Sequence, residues 1–443
     1  MSRTAVAGCG DVPNHEHMSD FILLVVLWSS FGAIAVLEFR RRSPALLFGL
    51  SLIFAAGIPS SVYLFTDRFE RAVVVEAVVF ITFFNLLYFC TRLLLPGTRV
   101  VPDADDHVPT LAAVERRLLF LIGLVFILPF VLKLVEADFS LRLLAASSWR
   151  ESITLSYSLM LYGAHASFGL ILCLFVLRRY VLAGLALVAV AALIVVDRRR
   201  AMGIAAVAPL LLYLIFWSLQ GRVRPFRIAL TIGAGTMALV AFFLVQQIRY
   251  LGPLSAAAAA DPELVLEAAV NRIVSVQGDL SLVDYFLWML RNGQSVDGYG
   301  EIITVQRMLT FYLPGDLKPQ EFTHSIATAI RGGEQGASIH PTVYGLSWGE
   351  AEWLGVLYAP FLAGVFRLLD RIVLRYRGKV TWAILLGPYT VFVVLTARGT
   401  VYNAWVIMLM TMIAVVGLIH LAALRRHRGL QRTIHTAPDV RPV

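Results

Sequence analysis

The chain has 443 residues, of which 58% are hydrophobic and 15% charged, with a net charge of +9 and a mean hydropathy of +0.76. Soluble globular chains carry roughly 45–50% apolar and about 25% charged residues, so this composition excludes a soluble enzyme and defines an all-α, polytopic integral membrane protein. Its basic residues cluster in short connections between apolar runs, the signature of membrane sidedness, which excludes nucleic acid as a partner.

The N-terminal twenty residues lack the basic n-region and small-residue cleavage site of a signal peptide. The first apolar run, Phe21 to Leu37, leads into Arg40-Arg41-Arg42 and reads as a retained span. About 20 apolar residues cross a bilayer as a helix, and that length predicts eleven spans. They cover 20–38, 45–65, 72–94, 118–135, 156–177, 181–196, 201–219, 228–246, 351–369, 380–397 and 401–423. An odd number puts the termini on opposite sides. The tail 424–443 holds Arg425, Arg426, Arg428, Arg432 and Arg441, which makes it cytoplasmic and the N-terminus periplasmic. Glu76 is the clear intramembrane carboxylate of the first three spans, a weak relay candidate, and no buried acidic pair of the kind used in proton-driven transport is expected.

On this layout 22 of the 38 Lys and Arg residues are cytoplasmic, six lie in one long outer loop and ten in short outer segments. Three of those ten, Arg198, Arg199 and Arg200 in "VVDRRRAMG", crowd one turn between two spans and violate the charge rule. Arginine forks bind phosphate oxygens bidentately, so an outward arginine cluster suits the diphosphate of a polyprenyl sugar carrier. Snorkelling at a helix end is the plainer alternative, and a different span count would return the turn to the cytoplasm.

Residues 247–350 form the long outer loop, inserted into a single membrane domain that covers 1–443, and carry helical signals of their own. Arg249 and Tyr250 follow the eighth span, and Arg272 lies on the amphipathic stretch "PELVLEAAVNRIVSV". Arg398, in "TARGT", occupies the short turn before the last span. All lie at the same face as Arg198–Arg200. Each alone reads as a solvated or headgroup arginine; together they suggest an anion-binding surface.

The stretch "SIHPTVYGLSWGEAEWLG" offers two bases. Pro341 holds His340 extended, and Gly349-Glu350 opens the ninth span, where a carboxylate complements the helix dipole. Either His340 or Glu350 is placed to take a proton from a sugar hydroxyl, unless each is an ordinary loop histidine or dipole complement. Tyr344, Trp348 and Trp353 suit packing on sugar faces, though interfacial aromatic belts account for them more simply. Cys9, Cys90 and Cys173 show no paired spacing, and no metal-binding or nucleotide-binding motif is present, so no cofactor is expected.

Several of these stretches carry a family resemblance. "LEFRRR", "IPSSVYLF", Arg200-Ala201, "IRYLGP", "NRIVS", "FYLPG", "HPTVYG" and "TARG" follow the order and spacing of Wzy-type oligosaccharide repeat-unit (O-antigen) polymerases. The branch most similar is the enterobacterial common antigen polymerase. The sequence departs at His340, where that branch is serine-like, and in "GEAEWLG", which resembles the broader O-antigen polymerase pattern. The resemblance implies a GT-C-like fold in the bacterial inner membrane and a metal-independent, inverting glycosyltransferase of cell-envelope and lipopolysaccharide biosynthesis. It implies undecaprenyl-diphosphate-linked oligosaccharides as substrates, with Arg200, Arg249, Arg272 and Arg398 contacting donor diphosphate or acceptor. A chain-length regulator and a flippase are candidate partners besides membrane lipid. The alternatives are an O-antigen ligase acting on lipid A core, a lipid-linked oligosaccharide transporter or flippase, and, least favoured, an envelope scaffold.

The side assignment is tested by replacing the native cysteines and introducing Arg198→Cys or Arg425→Cys. In intact cells an impermeant thiol reagent is expected to label position 198 and spare position 425; the reverse pattern overturns the assignment.

Overall fold

The computed structural model describes residues 13–66, 68–96, 169–197, 200–218, 282–313, 317–331, 338–376 and 380–435, with isolated positions between 116 and 135. Among them are thirteen named α-helices and no strand. The chain starts with α1 (Pro13–Arg41), α2 (Leu46–Leu52), α3 (Ile58–Leu64) and α4 (Arg71–Leu94), then α5 (Tyr180–Asp197) and α6 (Arg200–Tyr213). The long loop contributes α7 (Leu282–Asn292), α8 (Ile303–Leu309), α9 (Phe322–Arg331) and α10 (Thr342–Ala351). The chain ends with α11 (Tyr358–Arg375), α12 (Val380–Ala397) and α13 (Val401–His435).

Among the described residues five helical stretches are long and apolar enough to cross a bilayer: Met18–Arg41, Leu46–Leu64, Arg71–Leu94, Val380–Ala397 and Val401–Leu421. The protein is a multi-pass membrane protein. Their bounds match the spans expected over 20–38, 45–65, 72–94, 380–397 and 401–423, with α1 and α13 running further at their polar ends. The second stretch is not one regular helix. A π turn over Ile53–Gly57 separates α2 from α3 just before Pro59, whose ring nitrogen cannot donate to the preceding turn. The expected span 228–246 lies outside the described residues, as do half of 118–135 and more than half of 156–177.

The ninth expected span, 351–369, is corrected. Helix α10 ends at Ala351, Glu352 takes a left-handed φ of 49°, and a short 3-10 segment (Glu352–Leu357) turns the chain before α11 begins at Tyr358. Glu350 therefore closes a helix rather than opening one, and the dipole argument for it does not hold. The fold-back is tight: a Cβ on Gly355 would sit 2.1 Å from the Ser347 carbonyl oxygen.

Three helix ends meet around a buried arginine. Arg92, near the end of α4, donates through Nε to Glu38 Oε1 (2.6 Å) and through Nη2 to Glu38 Oε2, Asp370 Oδ2 (2.8 Å) and Ser43 Oγ (3.2 Å). Tyr88 donates to Glu38 (2.8 Å), while Ser43 and Tyr389 donate to Asp370 Oδ1 (2.7 and 2.9 Å). All three charged groups are buried. Glu38 and Asp370 are thus two buried acids bridged by Arg92, which the sequence reading did not single out. Phe366 packs beside them against Phe48, Tyr88, Tyr389 and Phe392.

The network sets a common level from which helix lengths can be compared. At about 1.5 Å per residue, α4 rises about 31 Å from Arg92 to Arg71, and α12 rises only about 12 Å from Tyr389 to Ala397. Ordinary tilts of about 20° barely change that difference. The turn joining α12 to α13 is thus recessed well below the Arg71 end of α4. Loop helices fill the space above it: Phe286 of α7 and Trp348 of α10 pack on Phe80 of α4 (centroids 5.7 and 5.2 Å), and Tyr344 packs on Phe84 (5.1 Å).

Removing one partner of a buried ion pair leaves a charge uncompensated, which costs about 3–5 kcal/mol. Arg92→Ala is expected to lose that much stability, whereas Arg92→Met combined with Glu38→Gln and Asp370→Asn recovers most of it. Exposure of buried Cys173 to a thiol dye during thermal unfolding reads both.

Candidate functional site

The recessed turn is shaped by the sequence "TARGT". Gly399 N–H bonds to the Thr396 carbonyl (2.9 Å) and Thr400 N–H to the Leu395 carbonyl (2.9 Å), the pairing that ends a helix with a left-handed residue. Gly399 supplies that conformation, at φ +93°, and a Cβ there would lie 2.6 Å from the Thr342 carbonyl oxygen. Glycine is required on both counts. Thr342 itself has a φ of 65°, costly for a β-branched residue. Such outliers persist where the surroundings over-determine them, often at functional sites.

This close approach sets His340 against the turn. Thr400 Oγ1 lies 3.1 Å from His340 Nδ1 and Ser338 Oγ 3.4 Å from Nε2, while Ile339 N–H bonds to the Thr323 carbonyl of α9 (3.0 Å). Burial first, then the charge of Arg398 and the nearby His324, push the His340 imidazole down to about 3. It is therefore neutral at physiological pH.

The first turn of α13 is crowned by further charged groups from the loop. Arg307 of α8 stacks over the Tyr402 ring at 4.4 Å and donates to the Pro319 carbonyl. Lys318 donates to the Tyr402 hydroxyl (3.1 Å) and to the Phe311 carbonyl (2.8 Å). Asn403 donates to both oxygens of Glu321 (3.2 and 3.3 Å). Arg398, Arg307 and Lys318 thus converge on one recessed turn, and carbonyl, hydroxyl and ring partners leave the charges of the last two in place.

Glu350 acts on this cluster from behind. Its Oε1 accepts from Thr304 N–H (2.9 Å) and Thr304 Oγ1 (2.5 Å), and its Oε2 accepts from the Tyr358 hydroxyl. Thr304 opens α8 one turn before Arg307, so Glu350 ties the start of α11 to the helix that carries the arginine. The carboxyl is wholly enclosed, and burial pushes it up to about 7 against the hydrogen bonds that favour its charged form.

Tyr344 is buried too. Its hydroxyl donates to Asn85 Oδ1 (2.7 Å), and Asn85 donates to Ser30 Oγ (3.0 Å), so it joins the loop to α4 and α1 instead of facing an opening. Trp348 is likewise buried, while Trp353 is half-exposed. The arginine turn at 198–200 begins α6 with Arg200. Arg198, Arg199, Arg249, Tyr250 and Arg272 lie outside the described residues. Among the described residues no group of three or more His, Cys, Asp or Glu could hold a metal ion. The structure brings together His340 and Arg398 of the expected set, and adds Arg307, Lys318, Glu321 and Thr400. No protein-family model, curated protein or solved structure matches this chain.

The two titrating groups have opposite signs. Glu350 binds a proton more tightly in the folded state, so its contribution to stability falls as pH rises from about 4.5 to about 7, by at most about 3 kcal/mol. His340 binds a proton less tightly when folded, so its contribution is present above 6.5 and falls as pH drops toward about 3. Glu350→Gln is expected to flatten the alkaline side of a melting-temperature profile, and His340→Gln the acid side. A profile that neither variant changes would place the ionisations elsewhere.

Proposed function

We propose that the protein is a membrane glycosyltransferase that polymerises lipid-diphosphate-linked oligosaccharide repeat units. It transfers a glycan from an undecaprenyl-diphosphate donor to a hydroxyl of a second lipid-linked unit at the outer face of the bacterial inner membrane. The observation that carries this reading is the gathering of Arg398, Arg307 and Lys318 around one recessed turn beside a neutral histidine. The motif resemblance in "HPTVYG" and "TARG" supports it from the sequence side. In this reading the chain crosses the membrane eleven times in a GT-C-like arrangement.

The chemistry follows from the charges. The glycosyl C1–O bond to the diphosphate breaks as the acceptor oxygen bonds to C1 from the opposite face, so the anomeric centre inverts. The leaving diphosphate gains negative charge, and preorganised cations stabilise it without a metal. The acceptor hydroxyl proton passes to His340. Its imidazole holds a proton poorly, and an incoming diphosphate raises that affinity by supplying opposite charge. In the tautomer whose Nδ1–H faces Thr400 Oγ1, the Nε2 lone pair beside Ser338 Oγ is the base. Glu350 serves as a positioning group, because both of its oxygens are engaged.

A transporter for lipid-linked oligosaccharides is the second reading. The buried Glu38–Arg92–Asp370 network favours it, since intramembrane ionisable groups commonly mark transport paths.

Proteoliposomes given an undecaprenyl-diphosphate repeat unit separate the two. Wild-type protein is expected to give a ladder of glycan lengths. Arg398→Lys, which keeps charge and loses the fork, is expected to slow it about 100-fold, and His340→Ala by about 100-fold or more. Lipid crossing the vesicle wall without any ladder would replace the transferase by the transporter.

A further inference from the structure

A second polar site lies at the Arg71 end of the bundle, away from the recessed turn. A cavity of about 550 Å³ opens there between the ends of α1, α3, α4 and α7, within the roughly 300–1,000 Å³ of small-molecule sites. Three arginines line it, each set against a carboxylate. Arg71 bonds to Asp20 (3.0 Å), Arg68 bonds to Asp284 (2.9 Å) beside the cavity, and Arg291 stands 3.9 Å from Glu70. The exposed Phe65 and the partly buried Phe69 supply aromatic surface, with Tyr63 buried behind them. Alternating donors and acceptors with aromatic faces, near charge balance, suit the hydroxyls and C–H faces of a sugar better than a bare anion.

Arg71 also lines a second space, an open, mainly apolar groove of about 640 Å³. Ser19 and Leu23 of α1 form one wall, and Ala72, Val75 and Val79 of α4 form the other. The α4 positions recur at three- and four-residue spacing, so they share one helix face. Both helices are long and apolar enough to cross a bilayer, so an open apolar groove between them matches a lipid chain. A polar, sugar-compatible chamber therefore meets an apolar channel at a single arginine.

We propose that this pair of spaces binds one lipid-linked sugar. The glycosyl headgroup occupies the chamber, the phosphate linkage lies at Arg71, and the isoprenoid chain runs down the groove between α1 and α4. The choice of an isoprenoid carrier rests on the transferase reading. Glu76, also on the groove, repels a phosphate placed below Arg71 and confines the linkage to the mouth.

The test uses the full chain in detergent with photoreactive farnesyl-diphosphate-N-acetylglucosamine as the probe. Cross-links are expected on α1 and on α4 between Arg71 and Val79. Arg71→Ala should weaken binding about 10-fold or more, and Glu76→Gln should tighten it about 3-fold. Because Arg71 also holds Asp20, Ala72→Trp provides a second probe: it fills the groove from an exposed position without breaking an ion pair, and should reduce binding similarly. Displacement by inorganic pyrophosphate alone would reduce the site to an anion contact. Equal displacement by phosphatidylglycerol would make it an annular lipid site; either result overturns the proposal, as does retention of the probe by both weakening variants. A wild-type ladder with binding unaffected in Arg71→Ala and Ala72→Trp removes this site and leaves the transferase. Arg71-dependent binding with no ladder does the reverse.

Discussion

Arg92 is the fixed point of the fold. A guanidinium sealed in the bundle is tolerable only if opposite charge and hydrogen-bond acceptors surround it, and they come from two distant parts of the chain. Glu38 ends the first span, and Asp370 lies near the end of α11. Ser43 joins them from the turn that follows α1, where Arg42 takes a left-handed φ of 52° and Ser43 N–H bonds back to the Glu38 carbonyl. The arginine thereby fixes the register of α1, α4 and α11. Tyr389 brings α12 to the same level.

That register has a consequence at the other end. A helix held at Tyr389 with only two more turns to run cannot reach the Arg71 end of α4, so the turn after α12 remains deep in the bundle. Backbone groups at such depth need partners. The left-handed Gly399 turn satisfies its own carbonyls, and loop segment 338–342 covers it closely enough to force Thr342 into an unfavourable φ. His340 and Arg398 become neighbours because one helix is short. The loop is thus part of the core: Phe286, Tyr344 and Trp348 are buried against α4.

Much of the membrane architecture was legible in the sequence, because apolar run length is a local property. The bounds of α4, α5 and α12 follow directly from it. The break at Glu352 was not, since the hydropathy of the surrounding residues does not register a single left-handed residue. Nothing in the sequence around Glu38 or Asp370 marks either acid out; only tertiary packing shows that both face Arg92. "TARG" was a visible signal for the candidate site, with glycine following arginine at a helix end. Arg307 and Lys318 carried no comparable mark. They reach Tyr402 through the path of the loop, and no spacing in the sequence records that path.

The two arginine environments differ in a way that separates structure from proposed chemistry. Arg92 is enclosed by two carboxylates, so its charge is spent within the protein and an added anion finds neither room nor net attraction. Arg307 and Lys318 are held by carbonyls, a hydroxyl and an aromatic ring, none of which carries a charge, and the buried Nε of Arg307 has no hydrogen-bond partner. Neutral partners hold a cation in position and leave its field intact. His340 feels the field of Arg398, which together with burial keeps it unprotonated. Burial is the larger cause of its neutrality, and the part due to Arg398 is relieved when an anion matches that charge, which couples anion binding to base strength at this turn. In the proposed transferase the site becomes a better base only when the group to be displaced has arrived, which ties proton removal from the acceptor to the presence of a bound diphosphate.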